Sequence, residues 1–204
     1  MNSLASRFVP PIVSVLILAH GFEVRAAQRN KAPVQLESPA ARDARRFETL
    51  KEEIRHQLVT LPYYSVFDWL EAEAEPDGTV TLMGQVVRPT LKDDAEARIK
   101  KLEGATQVIN KIEVLPLSSF DDQLRMALYR RLFNFDSPLF RYGTWSIPPI
   151  HIIVSNGHVA LKGIVANQGD SELAYITANQ VPNVFDVKNE LQIEGRADEP
   201  VSRK

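Results

Sequence analysis

Cysteine is absent from the 204-residue sequence. That excludes disulfides, thiol nucleophiles and cysteine-ligated metals, and any exported form would carry no lipid-modified N-terminal cysteine. Strong charge of either sign is also missing. A formal net charge of −2 excludes a general nucleic-acid binder, which presents a marked positive balance. Neither a phosphate-cradling Gly-Lys-Ser/Thr loop nor a Gly-x-Ser-x-Gly nucleophile turn occurs. Of the four histidines, His20 lies in the N-terminal apolar segment and His56 on the polar face of a helix, while His151 and His158 flank a hairpin with no nearby carboxylate cluster to complete a metal set. Asp93-Asp94 and Asp121-Asp122 resemble paired catalytic acids, but helix starts account for both. We expect a non-enzymatic protein with no catalytic residues, cofactor or metal.

Long apolar runs are scarce. The main one spans Phe8 to Phe22, follows Arg7 and precedes Val24-Arg25-Ala26, with small residues at −3 and −1 of a cut after Ala26. This order predicts a secretory signal peptide over 1–26. An uncleaved anchor is the alternative, but Pro10-Pro11 and the short run suit a span of about 20 residues poorly. Residues 27–46 lack a sustained apolar period and read as a flexible linker.

What the chain does contain is a repeat. Asp77-Gly78-Thr79-Val80-Thr81-Leu82-Met83-Gly84-Gln85-Val86 returns as Asn156-Gly157-His158-Val159-Ala160-Leu161-Lys162-Gly163-Ile164-Val165. Each copy opens on a pair suited to a tight hairpin turn and continues with period-two apolar residues. Gly84 and Gly163 interrupt the alternation at the same place, where a bulge or close backbone approach is expected. Together with Gly78 and Gly157 they are the expected structural glycines. At an offset of 79, positions 78–114 and 157–193 align without a gap. The identities include Ala95/Ala174, Val108/Val187 and Asn110/Asn189. Such a match argues for duplicated domains.

Local patterns fill in the elements. Phe47, Leu50, Ile54, Leu58 and Leu61 form one helical stripe, closed by Pro62. Strands follow over 66–74 and 79–87. Thr90 suits a helix cap, Leu91, Ala95, Ile99 and Leu102 the stripe behind it, and Gly104 its C-terminal cap. A third strand runs over 108–114. Ser119 and Asp122 mark the next helix, whose stripe includes Phe120, Leu124, Ala127, Leu128 and Leu132. After a long connection over 133–149 come strands at 150–155 and 158–165. Asp170 and Glu172 favour the start of another helix, and 185–193 is the last strand. The predicted fold class is α+β: two tandem αββαβ domains, each a small three-stranded mixed sheet covered by two helices. Their bounds are 47–115 and 120–194, joined by linker 116–119, with a disordered tail over 195–204.

The glycine turn, the Val-x-Leu-x-Gly-x-Val strand, the helix alanine and the closing segments 181–191 and 102–112 resemble the BON domain family of bacterial envelope proteins. The resemblance implies two BON domains in tandem, export to the periplasm or outer envelope, and phospholipid binding. Lys162 and Met83, where the family often has a small polar residue, and Asn183, where it often has glycine, depart from that pattern.

The expected contact surface lies in the second half. Helical geometry turns Met126, Tyr129 and Phe133 away from the leucine stripe, flanked by Arg125, Arg130 and Arg131. Aromatic and apolar groups beside arginines suit an anionic phospholipid surface. Packing against the first domain across the short linker is the other reading of Met126, Tyr129 and Phe133. Tyr142 and Trp145 pose the same choice between covering a sheet edge and touching a membrane. The partner expected is anionic phospholipid, in support of envelope integrity or stress tolerance. An envelope protein docked through the second domain is the alternative, and the sequence does not define an oligomeric state.

Overall fold

The computed structural model describes residues 38–195, so the expected export segment lies outside them, as does the tail beyond Gly195. All the described residues fall in one compact unit. Helix α1 spans Pro39–Val59 and starts earlier than the apolar stripe implied. The part of the expected linker that is described is helical from Pro39 onward: Ser38 caps it by accepting a hydrogen bond from the Ala41 amide, Pro39 suits the first turn, and alanines and arginines propagate it. Strands β1 (Trp69–Ala74) and β2 (Thr79–Val86) are antiparallel, with Leu70 opposite Gly84. Helix α2 (Pro89–Ile99) crosses back, and β3 (Gln107–Asn110) and β4 (Glu113–Val114) lie parallel to β2.

The second half repeats this plan. Helix α3 is Ser119–Leu132, followed by a short helical turn α4, Phe140–Gly143. Strands β5 (Ile150–Ser155) and β6 (His158–Val165) form the hairpin. Helix α5 (Gln168–Asn179) then leads to β7 (Asp186–Ile193), parallel to β6. Each half is therefore an αββαβ unit with its own core. One is built on Leu50, Ile54, Val80, Leu82, Leu91 and Ile99, the other on Leu124, Leu128, Ile152, Leu161 and Ala174. Each fully buried leucine or isoleucine contributes about 1.5–3 kcal/mol.

The 79-residue offset extends to individual hydrogen bonds. The Asn110 amide donates to the Lys92 carbonyl while its side-chain oxygen accepts from the Ile112 amide. Asn189 does the same with Ser171 and Leu191. In each half this asparagine ties the last strand to the crossover helix.

Several local expectations change. The first hairpin turns on Pro76-Asp77-Gly78, with Glu75 and Thr79 joined across it and Gly78 at φ +87°. The second is a two-residue turn in which Asn156 and Gly157 both have positive φ, the combination Asn-Gly tolerates best. The caps differ as well. Helix α2 begins at Pro89 behind Arg88, so Thr90 is not its cap. That helix ends at Ile99, and Gly104 falls a turn later. Ser118 rather than Ser119 caps α3, and Asn167 caps α5. The expected strand over 108–114 is split at Lys111-Ile112, where Asn110 bends the chain. On α3, Phe120 and Ala127 are exposed, and Asp121 and Arg125 are buried beside the leucines.

Candidate functional site

The connection from Tyr64 to Trp69 fastens the first half to β5. The Ile152 amide donates to the Val66 carbonyl at 2.8 Å, as in a sheet. Buried Asp68 accepts from the Val87 amide at 2.7 Å and from the Ser65 hydroxyl at 2.6 Å. Its own carbonyl meets His151 Nδ1 at 2.6 Å. Trp69 packs edge-on against the His151 ring, with centroids 5.1 Å apart, and Phe67 against Tyr129 at 6.2 Å. Burial holds the Tyr64 phenol well above its ordinary range.

His151 makes this junction sensitive to acid. Burial lowers its pKa below 6.5, outweighing the pull of the Asp68 carbonyl. The folded state therefore binds this proton less readily than the unfolded chain, and protonation favours unfolding. Stability supplied by neutral His151 is complete above the unfolded pKa near 6.5 and is lost as pH falls from there towards the lower folded value. Denaturant midpoints measured from pH 7.5 to 5 should fall, and His151→Gln should flatten that slope. An equal slope in the variant would remove His151 as its source.

The residues expected to form one contact surface divide among three places. Arg125 is buried: it donates to the Val154 carbonyl at 2.7 Å and pairs with Asp122 at 2.5 Å, so it braces α3 on β5. Phe133 is buried in the second core. Tyr142 is buried too, its hydroxyl donating to Asp170 at 2.6 Å and accepting from the Ala166 amide at 2.9 Å. These three are structural, a correction with one cause: each found a tertiary partner that helical spacing alone does not reveal. Tyr129 belongs to the junction, meeting Phe67 and Phe133 edge-to-face.

Met126, Arg130, Arg131 and Trp145 remain exposed. Arg131 reaches Gln180 at 3.4 Å, whereas Arg130 has no partner among the described residues. Directly after α3, Phe135 and Phe140 meet edge-to-face at 5.2 Å, with 79% and 37% of their surfaces exposed. Sequence reasoning missed this pair. Its signal is two phenylalanines in a connection with polar neighbours, Asn134 and Asp136-Ser137, that supply no apolar stripe to bury them. Along the chain, the exposed cations in the last turn of α3 are thus followed closely by exposed rings.

Trp145 lies elsewhere, in an open groove of about 810 Å³ between α1, β1 and the 145–149 segment. Gly78, Gly84, Gly157 and Gly163 all have positive φ. Gly84 and Gly163 adopt φ of +122° and +118°, and a Cβ at either would collide with the carbonyl of Trp69 or Pro149. Among the described residues no cluster of three or more histidines and acids is arranged to hold a metal, and no helix is long and apolar enough to cross a membrane.

Two copies of one mixed-sheet unit define a tandem module. The chain belongs to the BON domain family, matching it twice, over residues 48–116 and 138–195. The second match begins after α3. BON domains are non-catalytic binding modules, and proteins of the family are typically periplasmic. No curated protein matches the sequence. Two solved structures of CdsD, a structural protein of the type III secretion system of Chlamydia trachomatis, are similar to this chain. Its C-terminal domain is 12% identical, covering 71% of this chain and 96% of that one at a TM-score of 0.27. The other is 13% identical, covering 70% and 91%, also at 0.27. At that TM-score the likeness carries no argument about function.

Proposed function

We propose that this is an exported envelope protein that associates peripherally with anionic phospholipid, in support of envelope integrity or stress tolerance. Membership of the BON domain family supports the envelope setting and a phospholipid-binding type of module. The observation that carries the lipid reading is the exposed Phe135–Phe140 pair, which follows closely along the chain from the exposed Arg130 and Arg131 in the last turn of α3. Rings of this kind enter the headgroup boundary, and guanidiniums meet phosphates there. Each arginine near an anionic surface adds about 1 kcal/mol.

Sedimentation with vesicles tests it. Binding should favour phosphatidylglycerol over phosphatidylcholine and weaken with salt. Arg130→Gln with Arg131→Gln should reduce affinity roughly thirtyfold, the equivalent of two such contributions. Phe135→Ser should weaken binding at every salt concentration, because the loss is apolar. Affinity unchanged in both variants would reject this surface, and binding indifferent to lipid charge would favour docking to an envelope protein.

A further inference from the structure

We propose that the outer edge of β1 is a docking site for an extended, basic segment of a partner protein, which joins the sheet as an additional strand. β1 is an edge strand, and among the described residues only β2 pairs with it. The corresponding edge of β5 is different. There the chain itself is laid alongside, with the Val66 carbonyl taking the Ile152 amide. Duplication has produced two equivalent edges, one already covered by a chain segment and one open.

The register identifies the available groups. Glu75 and Thr79 are hydrogen-bonded across the hairpin, and alternation makes Glu73 and Glu71 the next bonded positions. The N–H and C=O groups of Ala72 and Ala74 therefore turn outward, away from β2. Leu70 already meets the Tyr64 hydroxyl. Trp69–Ala74 contains no proline, no lysine and no bulge, so the charges of Glu71 and Glu73 are the only guards on this edge. The β7 edge carries Lys188 bonded to Glu190, and β3 is only four residues long before the chain bends.

Side chains define the occupant. Leu70 and Ala74 pack towards the first core, and the same wall of the groove presents Ile54, Leu58 and Val59 of α1. Lys51 and Arg55 extend that wall along the helix. Exposed Glu71 and Glu73 point to the opposite face, and exposed Glu75 follows. Pairing β1 with the β1 of a second copy in antiparallel register would set these acids against one another, a destabilising arrangement. A segment alternating apolar with lysine or arginine residues satisfies both faces. Lys162, 3.9 Å from Glu71 and stacked over Trp69 at 5.8 Å, already places one cation beside these acids.

The test uses the full chain and peptides of about ten residues: one alternating valine and lysine, one alternating valine and glutamate, and the lysine peptide with alternate amides N-methylated. Fluorescence anisotropy should show binding of the lysine peptide alone. Glu71→Gln with Glu73→Gln should weaken it roughly tenfold, as for two exposed charge pairs. Amide hydrogen exchange at Ala72 and Ala74 should slow on binding. Because N-methylation alters the probe and not the protein, its effect is independent of folding. Equal binding of the glutamate or N-methylated peptide, failure of the lysine peptide to bind, or slowing of those two amides by phosphatidylglycerol vesicles instead, would overturn the proposal.

Discussion

Gly163→Val is expected to be among the most damaging single substitutions in the chain, lowering stability by about 3–5 kcal/mol. Two costs combine. The backbone at φ +118° lies where a β-branched residue is strained, and the new Cβ would be driven into the Pro149 carbonyl. That carbonyl accepts from the Ile164 amide at 3.1 Å, so retreat would break the β5–β6 ladder at its start. Gly84→Val should behave alike, because Trp69 presents its carbonyl in the same way. Gly104→Ala separates the two costs: φ is +96°, but the nearest atom, Leu50 Cδ2, is 3.8 Å from the added Cβ. Its loss should be about 1 kcal/mol. Thermal unfolding would resolve these as shifts of about 10 °C against about 3 °C. Similar shifts for Gly163→Val and Gly104→Ala would contradict the steric account.

Asp121→Ala should come next. The side chain is buried at the start of α3, and its two oxygens accept from the amides of Asn156 and Gly157, each at 2.9 Å. It thereby holds the second hairpin turn against the helix. Truncation leaves two inward-facing amides without a partner, at about 1–3 kcal/mol each, for a total of about 3 kcal/mol or more. Asp121→Asn restores only one acceptor and places an NH₂ group against a donor, so it should rescue less than half of the loss. Asp93→Ala, on the exposed face of α2, should change stability by no more than about 0.5 kcal/mol. Chemical denaturation of the three variants checks the order. A loss for Asp121→Ala no larger than that for Asp93→Ala would show that the turn does not depend on this brace.

The duplication was legible because it is written in residues whose roles are local. Glycines at strained φ, an asparagine bonded two residues ahead, and an apolar period of two survive divergence in place. The two halves consequently agree down to the bonds of Asn110 and Asn189. What did not show was tertiary. Arg125 sits one position from Leu124 on a helical wheel and has the composition of a surface residue. It is buried because Asp122 and the Val154 carbonyl meet its guanidinium. Tyr142 reads as an interfacial aromatic until Asp170 and the Ala166 amide occupy its hydroxyl. In the first hairpin the Asp-Gly pair is present, but Pro76 joins the turn and lengthens it by one residue. This is why β1 and β5 align at an offset one greater than the rest of the repeat. The exposed Phe135–Phe140 pair lay hidden for the opposite reason, since no periodicity marks rings that pack only on each other.

The halves have kept their cores and changed their surfaces. In the first, α1 is 21 residues long and the edge beside it is acidic and open. In the second, that edge is covered, α3 is 14 residues long, and its end carries arginines and phenylalanines. A shared scaffold with divided tasks follows if lipid contact is confined to the second half.

Hydrogen exchange in the presence and absence of phosphatidylglycerol vesicles tests that division most directly. The account predicts slowed exchange over 130–141, no change over 69–74, and no effect of phosphatidylcholine. Protection spread equally over both halves, or confined to the first, would contradict it.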